Sequence, residues 1–318
     1  MERRTFLPTF RTAVAGVFEA MDNPRILIVG HGYLGAALAE EVDRRRLAEV
    51  VAMHRGADSA GGVCSLLSGD VSSRESLAAV VERAFPAPPD FVVHCASSGR
   101  GGADAYRAVF VDGLRNLAAL LPGTPVLFTG STSVYGQTDG STVDETSETA
   151  PDRETGRLLV EAESIAREGG GVALRLAGIY GPARSVHLRR LLDGSATIED
   201  ADPSRYLNQI HRDDAVGAIV HLLGLGEGFP RGGVFNVVDD TAITQRECYE
   251  TLAARFGLPV PPLAPPDPGR KRGWTHKIVS NAALRELGWE PGYPSFFDAV
   301  ERDERLVPSI REGIAAAG

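Results

Sequence analysis

Lysine is almost missing from this chain. Among 318 residues with 33 lysines and arginines, only Lys271 and Lys277 are lysine, so chemistry that needs an amine side chain has two positions to draw on. Cysteine is equally scarce. Cys64, Cys95 and Cys248 stand far apart with no C-x-x-C pair, which argues against a disulfide framework or a zinc ribbon and fits a reducing cytoplasm. No metal is expected. No run of about 18 apolar residues occurs, so no segment is expected to span a bilayer. Positive charge is in deficit: 42 acidic against 33 basic residues give −9 at pH 7, and no overall field draws the chain to nucleic acid or an anionic membrane. What is present is a globular composition, 43% hydrophobic and 24% charged, in a length that suits two domains or one α/β domain with a subdomain.

The first 22 residues carry arginines and a short apolar stretch, but Glu2 and Glu19 spoil a signal or transit peptide. Residues 1–23 are set aside as a loosely ordered extension. From Pro24 short β-branched runs alternate with helical stretches: RILIVG, a helix from Leu34 to Arg46, EVVAMH, a helix from Ser73 to Phe85, then DFVVHCA. A helix from Ala105 to Leu121, the strand PVLFTGS, a helix from Arg157 to Arg167 and the strand GVALRLAGIY follow. The strands are almost continuously apolar, as expected where helices cover both faces of a parallel sheet. This predicts an α/β fold, a doubly wound parallel Rossmann sheet with a smaller, discontinuous C-terminal substrate lobe. The dinucleotide-binding domain is expected over 24–185, with a returning segment near 208–245 that includes GGVFNVVDD, and the lobe over 186–207 and 246–318.

The strand RILIV runs into Gly30-His31-Gly32-Tyr33-Leu34-Gly35, a G-x-G-x-x-G that opens a helix. The first glycine allows the tight turn, the second lets a pyrophosphate approach the backbone, and the third lets helix and strand pack closely. About 20 residues further on, where a carboxylate would bind the adenosine ribose, the chain reads His54-Arg55. Arginine there offers a 2′-phosphate charge-assisted bonds of about 1.5–3 kcal/mol each, which favours NADP(H) over NAD(H). Asp70, after the next short strand, can accept from the adenine amino group or simply hold a turn.

Together these pieces resemble the extended short-chain dehydrogenase/reductase superfamily, in its NAD(P)-dependent epimerase/dehydratase branch. His94-Cys95-Ala96 resembles the family's H-x-A segment, with His94 and Ala96 beside the cofactor, and Phe110 to Asn116 resembles its helix motif ending in G-T-x-N. Ser131 to Gly136 resembles S-x-x-V-Y-G, Arg175 to Pro182 resembles R-x-x-x-x-Y-G-P, and Asn208 to Asp214 resembles N-x-I-H-x-x-D. The glycine spacing departs from the family's usual G-x-x-G-x-x-G and resembles an atypical subgroup. The resemblance also allows a homodimer through helices 105–121 and 157–167.

The family's chemistry uses a tyrosine followed four residues later by lysine, about 20 residues beyond the tyrosine of S-x-x-V-Y-G. Here that stretch reads Thr155-Gly156-Arg157-Leu158-Leu159, and neither lysine lies four residues after a tyrosine. The usual proton relay is missing. Ser131, which matches the family's substrate-binding serine, can hydrogen-bond a developing oxyanion. Tyr135, Thr155, Tyr180 and His187 are the candidates to replace or assist the relay. Each has a plainer reading: Tyr135 can pack under the nicotinamide edge, and His187 can be a surface residue. Tyr180 and Arg184 keep the four-residue spacing, but Gly181-Pro182 breaks any helix between them. His211 and Asp214 fit a structural hinge better than catalysis. The expected function is an NADP(H)-dependent oxidoreductase of a small carbonyl, imine or conjugated substrate. The alternative is a non-catalytic NADP(H)-binding sensor or scaffold.

Overall fold

The computed structural model describes residues 18, 21, 23–59, 62–99, 101–266 and 275–317. Its centre is a parallel sheet that follows directly from the apolar runs: β1 (Arg25–Val29), β2 (Glu49–His54), β3 (Ser65–Ser68), β4 (Phe91–His94), β5 (Val126–Ser131), β6 (Val172–Leu176) and a late strand, Val234–Val237. Spatial order is Val234–Val237, β6, β5, β4, β1, β2, β3, and every pairing is parallel. The order reverses between β1 and β4, and in open α/β sheets the crevice at such a switch point is where ligands bind.

Helices α1 (Tyr33–Arg45), α2 (Arg74–Ala84) and α4 (Glu154–Glu168) cover the sheet. The predicted helix 105–121 is α3, and it is not uniform: an α-turn at Ala103–Tyr106 and an α-helix at Gly113–Leu120 flank a π-helical stretch, Arg107–Asp112. The predicted strand GVALRLAGIY also divides. After β6, Ala177 donates to the Val237 carbonyl, and Gly178–Tyr180 turns away to pair with Gln209–His211.

One apolar core spans the sheet and its helices, and a second fills the lobe around Tyr180, Leu188, Tyr249, Phe296 and Ile310. The segment set aside as an extension lies outside the described residues except for Phe18, Met21 and Asn23; Phe18 is buried in the main core rather than loose. Cys64, Cys95 and Cys248 are free thiols. No helix among the described residues is long and apolar enough to cross a membrane.

Candidate functional site

The glycine loop leaves the end of β1 and is closed by backbone contacts. Gly30 has φ +101°, and a Cβ there would lie 2.5 Å from the Ala96 backbone, so only glycine fits. A Cβ on Gly35 would meet the Gly30 carbonyl oxygen at 1.9 Å; this glycine seats α1 against the strand and does not itself line the cavity. Gly32 is different. No atom lies within 4 Å of its would-be Cβ, it caps α1 without any side-chain bond, and the first turn holds no acidic residue. Backbone N–H groups at that helix start are therefore left for an anion, which fits a coenzyme diphosphate.

The cavity there is about 740 Å³ and runs along the strand ends. At one end it is lined by His31, His54, Arg55, Gly69 and Asp70, in the middle by Gly30, Gly32, Tyr33, Leu34 and Ala96, and at the other end by Thr129, Ser131, Leu159, Ala177 and Arg184. Asp70 accepts from the Ser72 amide (2.9 Å) and hydroxyl (2.7 Å), and these bonds hold its carboxyl below the usual range. Asn116, in the helix motif, donates to the Val71 and Ser72 carbonyls and so fixes the turn that carries Asp70.

His94 is corrected by its surroundings. It does not line the cavity but lies fully buried beneath it, flanked by Phe110 and Phe128. Its Nε2 donates to the Val109 carbonyl at 3.1 Å, and Nδ1 is buried without a partner. Desolvation lowers its pKa to about 4, so the ring is neutral near pH 7. His94 thus braces the π-helical wall, whose Ala108, Val109 and Phe110 face the cavity with Tyr106 and Ala105 from the preceding turn.

Of the residues expected near the reaction, Ser131 reaches the cavity; Tyr135, Thr155, Tyr180 and His187 are not among its lining residues. Tyr135 is fully buried. Its hydroxyl has two acceptors for its one proton, the Asp144 carbonyl at 2.8 Å and Asn236 Oδ1 at 2.9 Å, and itself accepts from Arg175 Nη1 at 2.7 Å. Arg175 is in turn held by Glu163, with Nη2 to Oε2 at 2.8 Å. Burial pushes the Tyr135 phenol up against the pull of Arg175, the opposite of what a proton relay needs. Tyr180 is buried in the lobe core against His211 and Phe296, where desolvation raises its pKa strongly. His187 shares a contact with the Tyr249 hydroxyl at 3.2 Å in the same lobe.

Thr155 sits in the first turn of α4, and one turn later Leu159 presents an apolar side chain to the cavity. Lys277 is buried and donates to the Tyr135 carbonyl at 2.7 Å, with its amine lowered to about 8 by desolvation; Lys271 lies outside the described residues. His211 donates from Nε2 to Asp303 at 3.1 Å and accepts the Asp213 amide at Nδ1, a structural use of both nitrogens. Asp214 likewise accepts the amides of Gly292 and Tyr293.

The four-residue spacing offers Arg184 as a partner for Tyr180. Instead its guanidinium lies 5.2 Å from the centroid of the Tyr33 ring, while the Tyr33 hydroxyl donates to the Pro182 carbonyl at 3.0 Å. Burial raises the Tyr33 phenol to about 12, so it stays protonated and keeps that bond. Ser97, Ser98 and Thr129 also line the cavity. Only their place just beyond apolar strand runs could have marked them.

This arrangement defines a doubly wound α/β protein whose cavity suits a dinucleotide and is polar at Ser131. A family model for the NAD dependent epimerase/dehydratase family matches residues 26–237, more than half of the chain, and the chain belongs to that family. Protein YeeZ of Escherichia coli K12 is 33% identical over 174 residues, which are 53% of this chain and 58% of YeeZ. The chain thus spans little more than half the length of that curated relative. A 3-diazoavenalumate denitrifying reductase of Streptomyces sp. is 27% identical over 87% of this chain and 97% of its own length. A solved structure described as an NAD-dependent epimerase/dehydratase, from Methylobacillus flagellatus, is 29% identical with a TM-score of 0.72, covering 91% of this chain and all of that one.

Proposed function

We propose that this chain is an NADP(H)-dependent oxidoreductase of a small molecule that works without the family's tyrosine and lysine. The observation that carries the reading is the continuity of one cavity from Arg55, past the uncapped start of α1, to Ser131. When bound there, the coenzyme supplies or accepts hydride. Arg55 is exposed at the ribose end and offers the charge that a 2′-phosphate needs; Asp70 leaves one carboxylate oxygen for the adenine amino group. Ser131 ends β5 and accepts the Ser133 amide at 3.2 Å, which leaves its own O–H to donate to a substrate oxygen or nitrogen.

Leu159 stands where a relay lysine would stand, so the site favours substrates that need little help from a proton donor. A conjugated acceptor is one such class, because protonation at carbon can follow from water. The name of the Streptomyces relative, a reductase of a diazo compound, suggests another. Replacing N2 at a diazonium carbon by hydride forms one C–H bond and releases dinitrogen, with no proton to place. A homodimer through α3 and α4 belongs to the same proposal, and size-exclusion chromatography decides it.

The test is coenzyme oxidation against aldehydes, imines, quinones and aryl diazonium salts, each corrected for the reaction without protein. Turnover with at least one class is expected, falling by about tenfold to a hundredfold in Ser131→Ala. Tight NADPH binding with no turnover on any class would replace this reading with a sensor or scaffold.

A further inference from the structure

The ribose end of the cavity holds more positive capacity than Arg55 alone. His31, inside the glycine loop, and His54, ending β2, both line it, with their rings edge-on and centroids 6.5 Å apart. Neither ring hydrogen-bonds a carboxylate among the described residues. His54 Nε2 donates to the Ala57 carbonyl at 2.9 Å, which leaves Nδ1 to take a proton. The His54 ring folds over Gly56, where a Cβ would lie 2.7 Å from Cε1, so a side chain at that position would push the imidazole out of place. His31 Nε2 meets the Cys64 sulfur at 3.9 Å.

We propose that His31 and His54 join Arg55 in binding the 2′-phosphate of NADP(H) as imidazolium groups, so that the phosphorylated coenzyme, unlike NAD(H), is bound with uptake of a proton. This rests on the dinucleotide reading above and adds a second determinant of coenzyme choice to it.

The charges around the pair set the sign. Burial and then His54 lower the His31 pKa, with Glu40 on α1 opposing them, so without an anion beside it His31 favours the neutral ring. Cys64 is kept a thiol by burial and by Asp43, and can donate to His31 without adding charge. On the β2 side Asp58 is engaged by Arg83 at 2.7 Å, and Asp70, held by Ser72, faces Arg55. A phosphate dianion placed among these groups outweighs the histidine–histidine repulsion and favours imidazolium rings beside it, so that binding takes up a proton. Affinity for NADP(H) relative to NAD(H) therefore rises as pH falls, until the phosphate itself begins to protonate near about pH 6.

The experiment is isothermal titration calorimetry of the purified protein with NADP+ and NAD+, the acid-stable forms, at pH 7.5 in buffers of different ionisation enthalpy. NADP+ is expected to bind with net uptake of about half a proton or more, and NAD+ with almost none. The NADP+ to NAD+ affinity ratio should rise about fivefold or more from pH 8.5 to 6.5, and His54→Gln and His31→Gln should each flatten that rise and lower the proton count. If His31→Gln fails to fold, the wild-type proton count and His54→Gln decide the matter. Equal proton counts for the two coenzymes, or a ratio independent of pH, overturn the histidine role while leaving the dinucleotide site intact. Binding of neither coenzyme overturns both.

Discussion

Ser131 and Tyr135 belong to one motif, four residues apart, and end in opposite surroundings. Ser131 closes β5 and faces the cavity; a 3-10 turn, Thr132–Val134, then carries the chain around, and Tyr135 enters the interior among Arg175, Glu163, Asn236 and Asp144. Around the glycine loop, polarity is supplied by backbone amides that are left open to a ligand. Around Tyr135, polarity is supplied by side chains that satisfy one another and are closed to solvent. The contrast teaches that a polar residue in a functional motif can serve the frame, and that hydrogen-bond saturation distinguishes the two uses.

The largest expected effect would strike the closed region. Arg175→Ala leaves Glu163 buried and uncompensated, and urea unfolding should show a loss of about 3–5 kcal/mol. Next comes the direct contrast within the motif. Tyr135→Phe should cost about 1–3 kcal/mol of stability, because Asn236 and Arg175 lose a buried partner, with NADP+ affinity nearly unchanged. Ser131→Ala should do the reverse, leaving stability within about 0.5 kcal/mol while lowering turnover. A Tyr135→Phe variant that is stable but inactive would return this tyrosine to the reaction.

His94 provides a third probe through pH. Its folded pKa of about 4 lies below the ordinary 6.5, so the unfolded chain binds the extra proton first as pH falls. The stability of neutral His94 is therefore complete above about pH 6.5 and is lost as pH falls from there toward 4. Between pH 7 and 5 the wild type should lose about 2 kcal/mol that His94→Gln does not lose, read as the difference between their denaturation midpoints. Parallel pH profiles would sink this assignment. The smallest effect is expected on the outer face of α3, where Arg115 meets Glu161 at 2.8 Å with both side chains substantially exposed. Arg115→Ala should change stability by about 0.5 kcal/mol or less, the exposed counterpart to Arg175.

The parallel sheet and the glycine loop were legible because backbone geometry dictates residue type there. Gly30 and Gly35 can be no other residue, and strands covered on both faces must be apolar. Ser131 was legible from its place at a strand end. Tyr135 and His94 were legible as motif members but not in direction, since a strand's pleat and a one-turn 3-10 helix decide which face each takes. Tyr180 and His187 lay beside a turn, and nothing in their spacing told that the lobe core would take them in. The π-helical stretch had no signal at all. RAVFVD reads like any apolar helix, and only the change in hydrogen-bond register sets it apart.

That wider turn has a further consequence. A π stretch accommodates one more residue than an α-helix of the same span and leaves the helices on either side in phase. Gly113 accordingly donates back five residues to Ala108, while the Val109 oxygen is released to His94. Removing a single residue between 107 and 112 would tighten the coil to an α turn, keep the following two turns in phase, and return the Val109 oxygen to the helix ladder. Asn116 would keep its hold on the loop that carries Asp70, while His94 would lose its acceptor and the cavity wall would shift without any change in the glycines.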